Sequence, residues 1–194
     1  MPEKQSSASV AFQMPSKNLH SLAVLVACAT SVLVLPWMAR VQAAEVDTAR
    51  IVHADKTPGD WLTYGRTYSE QRFSPLKGIN DKNAKDLGLA WYANLETNRG
   101  QEGTPLAIDG KLFVSTAWSI VKAYDGKTGA LLWSYDPLVP RAKGVDGCCD
   151  FVNRGVAAWN GKIYIATFDG RLIALDEKTG KPVWSVLTVD PKAP

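Results

Sequence analysis

Short apolar runs separated by Gly-bearing turns organise the second half of this chain. Residues 111–117 and 120–125 are two such runs, rich in aliphatic, β-branched and aromatic side chains, and a third ends in Trp133. Runs of this length and composition, bounded by turn residues, predict β-strands. Residues 103–108 supply one more run ahead of them. The pattern then recurs: residues 109–134 align with 160–185 at a constant offset of 51 without a gap, with ten of 26 positions identical, and residues 154–159 repeat the leading run. A period near fifty belongs to repeat architectures in which each unit covers its apolar face only by stacking on a neighbour. Four antiparallel strands per unit predict propeller blades.

The repeat is sharpest in Ala123-x-Asp125-x-x-Thr128-Gly129-x-x-x-Trp133, which returns as Ala174-x-Asp176-x-x-Thr179-Gly180-x-x-x-Trp184. Asp and Thr side chains hydrogen-bond turn amides, Gly takes a backbone conformation that other residues resist, and Trp offers a large flat surface for burial between units. Both tryptophans are therefore expected to pack, with no part in chemistry.

The longest apolar stretch lies elsewhere. Residues 21–35 read SLAVLVACATSVLVL, follow Lys4, Lys17 and His20, and lead to small residues around Ala43 and Ala44. This is the pattern of a secretory signal peptide, residues 1–43. As a helix, fifteen residues reach roughly 22 Å, short of the ~30 Å hydrocarbon core of a bilayer. Leu25-Val26-Ala27-Cys28 also resembles a lipid-attachment box, and that alternative stays open, although the apolar run continues past Cys28.

Charge narrows the partners. The whole chain carries +3, and without residues 1–43 it keeps 19 basic against 18 acidic residues, a balance that argues against nucleic acid. With 46% hydrophobic residues and seven tryptophans, the chain has the material for a packed core.

Two adjacent cysteines, Cys148 and Cys149, lie at the seam between the two repeats, in Gly147-Cys148-Cys149-Asp150-Phe151-Val152-Asn153-Arg154-Gly155. A bridge between neighbours closes a strained eight-membered ring, and such strain persists where it serves a site. Cleavage after Ala43 would leave these as the only cysteines, in a compartment where disulfides last. Two unlinked thiols in a loop remain the alternative. His53 stands alone, and no C-x-x-C-H sequence or metal-spaced cluster occurs.

Over residues 60–189 the chain resembles the N-terminal part of the pyrroloquinoline quinone (PQQ) dependent alcohol dehydrogenases. The resemblance rests on Trp61-x-x-Tyr64-Gly65, Gln71-Arg72-Phe73-Ser74-Pro75-Leu76, Leu89-Ala90-Trp91-Tyr92, Glu102-Gly103-Thr104-Pro105-Leu106, the cysteine motif and the tryptophan repeats. The wording of residues 97–103 and of Trp118-Ser119 is most similar to the quinohaem members, including membrane-associated enzymes of acetic acid bacteria.

The resemblance implies an all-β fold, a partial eight-bladed β-propeller with about two blades present. A signal peptide (1–43) precedes a lead-in segment (44–100), of which residues 89–95 would form a strand of the closing blade. Residues 101–194 then carry two blades, 101–136 and 152–187. It further implies that a Cys148–Cys149 disulfide makes one wall against the flat cofactor and that Glu102 and Arg154 contact it. A buried guanidinium would suit the oxygens of a tricarboxylate quinone. Arg154 aligns with Gly103 and Asn153 with Glu102 across the offset, so both sites open the first strand of successive blades and face one axial cavity. The alternatives are a surface ion pair for Arg154 and a solvated turn carboxylate for Glu102.

By the same resemblance the complete protein oxidises primary alcohols to aldehydes in the periplasm and passes electrons to a cytochrome c or membrane quinone. Association with the inner membrane would be peripheral, through partner subunits. The catalytic base and the calcium ligands fall beyond this chain, as does any haem c domain. Two blades cannot close such a ring, so the chain is expected to be an inactive fragment. A PQQ enzyme for sugars or polyols, and a non-catalytic propeller scaffold of the outer-membrane assembly type, are the competing readings.

Overall fold

The computed structural model describes residues 45–146 and 150–190. The signal-peptide expectation, His20 and the Cys148–Cys149 pair lie outside the described residues. Within them are two four-stranded antiparallel sheets, each a simple meander. The first contains β1 (Leu106–Ile108), β2 (Lys111–Ser115), β3 (Val121–Asp125) and β4 (Leu131–Tyr135). The second contains β5 (Ala157–Trp159), β6 (Lys162–Ala166), β7 (Arg171–Asp176) and β8 (Pro182–Leu187). This is the all-β, two-blade propeller portion that the repeat predicts. Even the irregularities repeat, since a bulge at Ala123/Tyr124 returns at Ala174/Leu175, the positions 51 residues later.

The core forms where the sheets face one another. Leu106, Ile108, Phe113, Val121 and Ala123 of the first pack with Ala158, Ile163, Ile165, Ile173 and Leu175 of the second. Alternation places these side chains inward, because successive residues of a strand point to opposite faces.

Trp133 closes the seam. Its indole lies on Gly180 and its Nε1 donates to Glu177 O at 3.0 Å. The receiving turn is built by one carboxylate: Asp176 Oδ1 accepts from the Thr179 hydroxyl (2.7 Å), Thr179 N (2.8 Å) and Lys178 N (3.2 Å). Asp125 does the same for Thr128 and Lys127 in the first blade. Gly180 (φ 69°) and Gly129 (φ 75°) complete the turns in the left-handed region that glycine adopts most readily.

The lead-in is pinned to the first blade. Helix α1 (Thr48–Val52) is capped by Asp47, and Arg50 from its last turn pairs with Asp60 at 2.9 Å and Asp109 at 2.6 Å. Trp61 and Ala107 then form an antiparallel bridge. Residues 89–95 differ from expectation. They form no strand, and Leu89 and Tyr92 are exposed. Their anchor is Trp91, which sits on Gly129 and donates from Nε1 to Gly126 O at 3.0 Å, as Trp133 does one blade later. A strand needs a partner edge, and no strand of the described residues runs beside this segment.

Candidate functional site

The two blades touch at the starts of their first strands, where Thr104 and Gly155 form a parallel bridge. The flanking residues Glu102 and Arg154 meet there, with Arg154 Nε donating to Glu102 Oε2 at 3.2 Å. The structure thus brings together two residues 52 apart in sequence that the motif analysis singles out. Arg154 is not buried: its side chain is 79% exposed and that of Glu102 48%. An exposed pair of this kind adds little to stability. Nothing in the packing demands it, and among the described residues the terminal nitrogens of Arg154 make no hydrogen bond.

Asn153 sets the backbone that presents Arg154. Its Oδ1 accepts from Gly155 N at 3.0 Å, and its Nδ2 donates to Ala166 O at 3.0 Å and Ser119 Oγ at 3.3 Å. An open cavity of about 410 Å³ beside this turn is lined by Tyr64, Thr104, Asn153, Arg154, Gly155 and residues of β5 to β7. A larger hollow of about 820 Å³, lined by residues 94–99, Trp118, Lys122 and Arg141, contains neither Glu102 nor Arg154. There the buried Lys122 ammonium reaches Glu96 Oε2 at 2.8 Å, and its hydrogen bond holds the Glu96 carboxyl below the usual carboxylate range.

Both flanks of the cysteine motif are described. On the near side, residues Arg141–Asp146 form a 3-10 turn. On the far side, Asp150 pairs with Arg99 at 2.9 Å, and the Phe151 ring stacks on Trp118 with centroids 3.7 Å apart and planes inclined by 13°. Trp118 N donates to Phe151 O at 3.0 Å, and the Arg141 guanidinium lies 4.0 Å from the centre of the Trp118 ring. Trp118 and Ser119 both have positive φ, 63° and 60°. Trp118, Ser119 and Phe151 stand in segments that carry the family resemblance, which gives them no role. Their signal is a contact between two loops, which no local pattern encodes.

No group of three or more His, Cys, Asp or Glu suited to a metal ion occurs among the described residues, and no helix there is long and apolar enough to cross a membrane. His53 caps α1, remote from the Glu102–Arg154 pair in sequence and with no shared contact.

Residues 61–186 match the family described as PQQ, glucose/ethanol/alcohol dehydrogenase, β-propeller domain. The chain is 66% identical, over 74% of its length, to the dehydrogenase subunit of a quinone-linked alcohol dehydrogenase of Komagataeibacter europaeus, of which it covers 19%. Among solved structures it is similar to a quinohemoprotein alcohol dehydrogenase of Pseudomonas putida, with 51% identity, a TM-score of 0.75, and coverage of 76% of this chain and 22% of that one. A quinohemoprotein alcohol dehydrogenase of Comamonas testosteroni gives 52% identity, a TM-score of 0.73, and coverage of 77% and 22%. The chain spans about a fifth of the length of the curated relatives it matches.

Proposed function

The chain belongs to the PQQ β-propeller family of glucose, ethanol and alcohol dehydrogenases, and from that premise we propose that it supplies two blades and one wall of the cofactor site of a periplasmic dehydrogenase. The substrate is a primary alcohol, oxidised to the aldehyde, and the electron acceptor is a cytochrome c or membrane quinone. The observation that carries the reading is the meeting of Glu102 and Arg154 beside an open cavity at the seam of the blades.

The residues fit the group. PQQ is a flat tricarboxylate with an ortho-quinone and a pyrrole N–H. When bound, it accepts a hydride equivalent from the alcohol. The terminal N–H groups of Arg154, with no protein partner among the described residues, match carboxylate and quinone oxygens. Glu102 orients the guanidinium from its Nε side and offers a second oxygen to an N–H donor. Asn153 fixes the turn so that Arg154 is presented in one direction. Cys148 and Cys149, joined as a disulfide, form a rigid plate against the ring. No proton-abstracting residue is assigned to this chain. The described residues hold no cluster suited to calcium, and no step is derived through that ion.

Arg154→Ala in the full-length protein tests the reading. Loss of charge-assisted hydrogen bonds of about 1.5–3 kcal/mol should weaken PQQ binding roughly ten- to hundredfold by equilibrium fluorescence titration. Because the side chain is exposed, the melting temperature should hold. Parental affinity in the variant would refute the assignment.

A further inference from the structure

We propose that Trp118 is a positioning residue that clamps both ends of the loop carrying Cys148 and Cys149, and so fixes how that loop faces the cofactor. The inference rests on the cofactor-wall reading above. The Phe151 ring centre stands 3.7 Å from the Trp118 ring centre and the Arg141 guanidinium carbon 4.0 Å from it. Two groups this close cannot share one face of the indole without colliding, so they occupy opposite faces. Arg141 opens the loop and Phe151 closes it, which makes the indole the filling between its two ends.

Three further contacts lock the closing end. Trp118 N donates to Phe151 O at 3.0 Å, a backbone tie between the two loops. Gly144 packs on the outer edge of Phe151 so closely that a Cβ there would collide with the ring. Arg99 lies 5.1 Å from the Phe151 ring centre and pairs with Asp150, the residue that follows the cysteines.

The backbone argues that this arrangement is imposed. Trp118 and Ser119 are consecutive non-glycine residues at φ 63° and 60°, in the left-handed region that L side chains rarely adopt. The surroundings hold it: Ser119 is buried and its Oγ receives Asn153 Nδ2, from the turn that presents Arg154. The 117–119 turn therefore touches the cysteine loop through Trp118 and the Arg154 turn through Ser119. One element of the first blade positions both halves of the proposed site.

The test uses the full-length protein with Trp118→Ala, Trp118→Phe, Arg141→Ala, a Cys148→Ser/Cys149→Ser pair, and Tyr124→Ala as a control that removes the stacking partner of Trp91 in the same blade. Three quantities are read: the melting temperature, the PQQ dissociation constant by fluorescence titration, and the rate of tryptic cleavage after Lys143 in PQQ-free protein. Loss of the aromatic and cation–π contacts should make Trp118→Ala cleave about tenfold faster or more, and bind PQQ about tenfold more weakly or worse. Trp118→Phe, which keeps a ring between Arg141 and Phe151, should restore both to within about threefold of the parent. Arg141→Ala leaves the indole in place and should give an intermediate cleavage rate, a reading available even if Trp118→Ala does not fold. Tyr124→Ala should lower the melting temperature without moving either loop measure. Parental cleavage and PQQ affinity in Trp118→Ala, with weakened binding in the double serine variant, would overturn the inference and leave the cofactor-wall reading standing. Parental affinity in the double serine variant would overturn both.

Discussion

Replacing Gly180 with alanine separates two costs that one residue type conceals. Gly180 sits at φ 69°, and a Cβ there would stand 2.5 Å from Trp133 Cε3 and 2.6 Å from Cδ2. Gly110 has nearly the same backbone, φ 75°, with nothing within 4 Å of the added atom. Both alanine variants carry the left-handed penalty of about 1 kcal/mol. Only Gly180→Ala must also displace an indole, and that indole is held by its 3.0 Å hydrogen bond to Glu177 O and by Phe113, whose ring centre is 5.8 Å away. Overpacking of this kind adds about 1–3 kcal/mol. The expected losses are thus about 1 kcal/mol for Gly110→Ala and about 2–4 kcal/mol for Gly180→Ala. Urea midpoints of the full-length protein, followed by far-ultraviolet circular dichroism at unchanged slope, measure the difference. Equal midpoints would refute the claim that the tryptophan is seated against this turn.

The turn carboxylates should make the blades acid-sensitive. The Thr128 amide and hydroxyl hold Asp125 below its ordinary 3.8, and the Thr179 hydroxyl does the same for Asp176. A depressed carboxyl stabilises the fold above its unfolded value and ceases to do so as pH falls through the folded one, so hydrogen-exchange protection of Thr128 and Thr179 amides should hold at pH 5 and drop below 3.8. Asp176→Asn should abolish that dependence at Thr179 alone, and an unchanged profile would count against it. Arg50→Ala removes the tie from α1 to Asp60 and Asp109 and should speed tryptic release of the lead-in near residues 50–56, with the sheets left folded. Finally, we expect the 194-residue polypeptide, exported alone and given PQQ and calcium, to show no dye-linked ethanol oxidation; measurable turnover would overturn the reading that these residues supply only part of the cofactor site.

The blades were legible in the sequence because the strand pairing of each lies inside one repeat. A constant offset of 51 carries the strands, the bulges and the Asp–Thr–Gly turn together, and all three are local. The proposed site was legible only in part. Glu102 and Arg154 stand out through their motifs, but the guanidinium is exposed in an ion pair, the alternative to the buried contact, and the motif does not decide between them because exposure depends on what lies across the cavity. The Arg141–Trp118–Phe151 stack was illegible for a different reason. Its three members come from two separate loops, and none of them finds the same residue 51 positions away.

Trp91 shows how a fixed spacing both reveals and hides. It docks on the Asp125–Gly129 turn as Trp133 docks on the Asp176–Gly180 turn, with the same indole-to-carbonyl hydrogen bond, yet it lies 42 residues before Trp133 where the next interval is 51. A constant-offset alignment therefore passes over it, and only the family resemblance suggests a strand for its segment. The docking is defined by the turn that receives the ring, so the tryptophan's own strand is not required. Trp184 supplies the contrast: it occupies the same place on β8, has no such turn before it among the described residues, and is 40% exposed where Trp133 is 8%. That difference amounts to roughly 80 Å² of apolar surface, or about 2 kcal/mol. A stacking contribution of this size ties the first blade to the turn of its successor, in addition to the core the two sheets share.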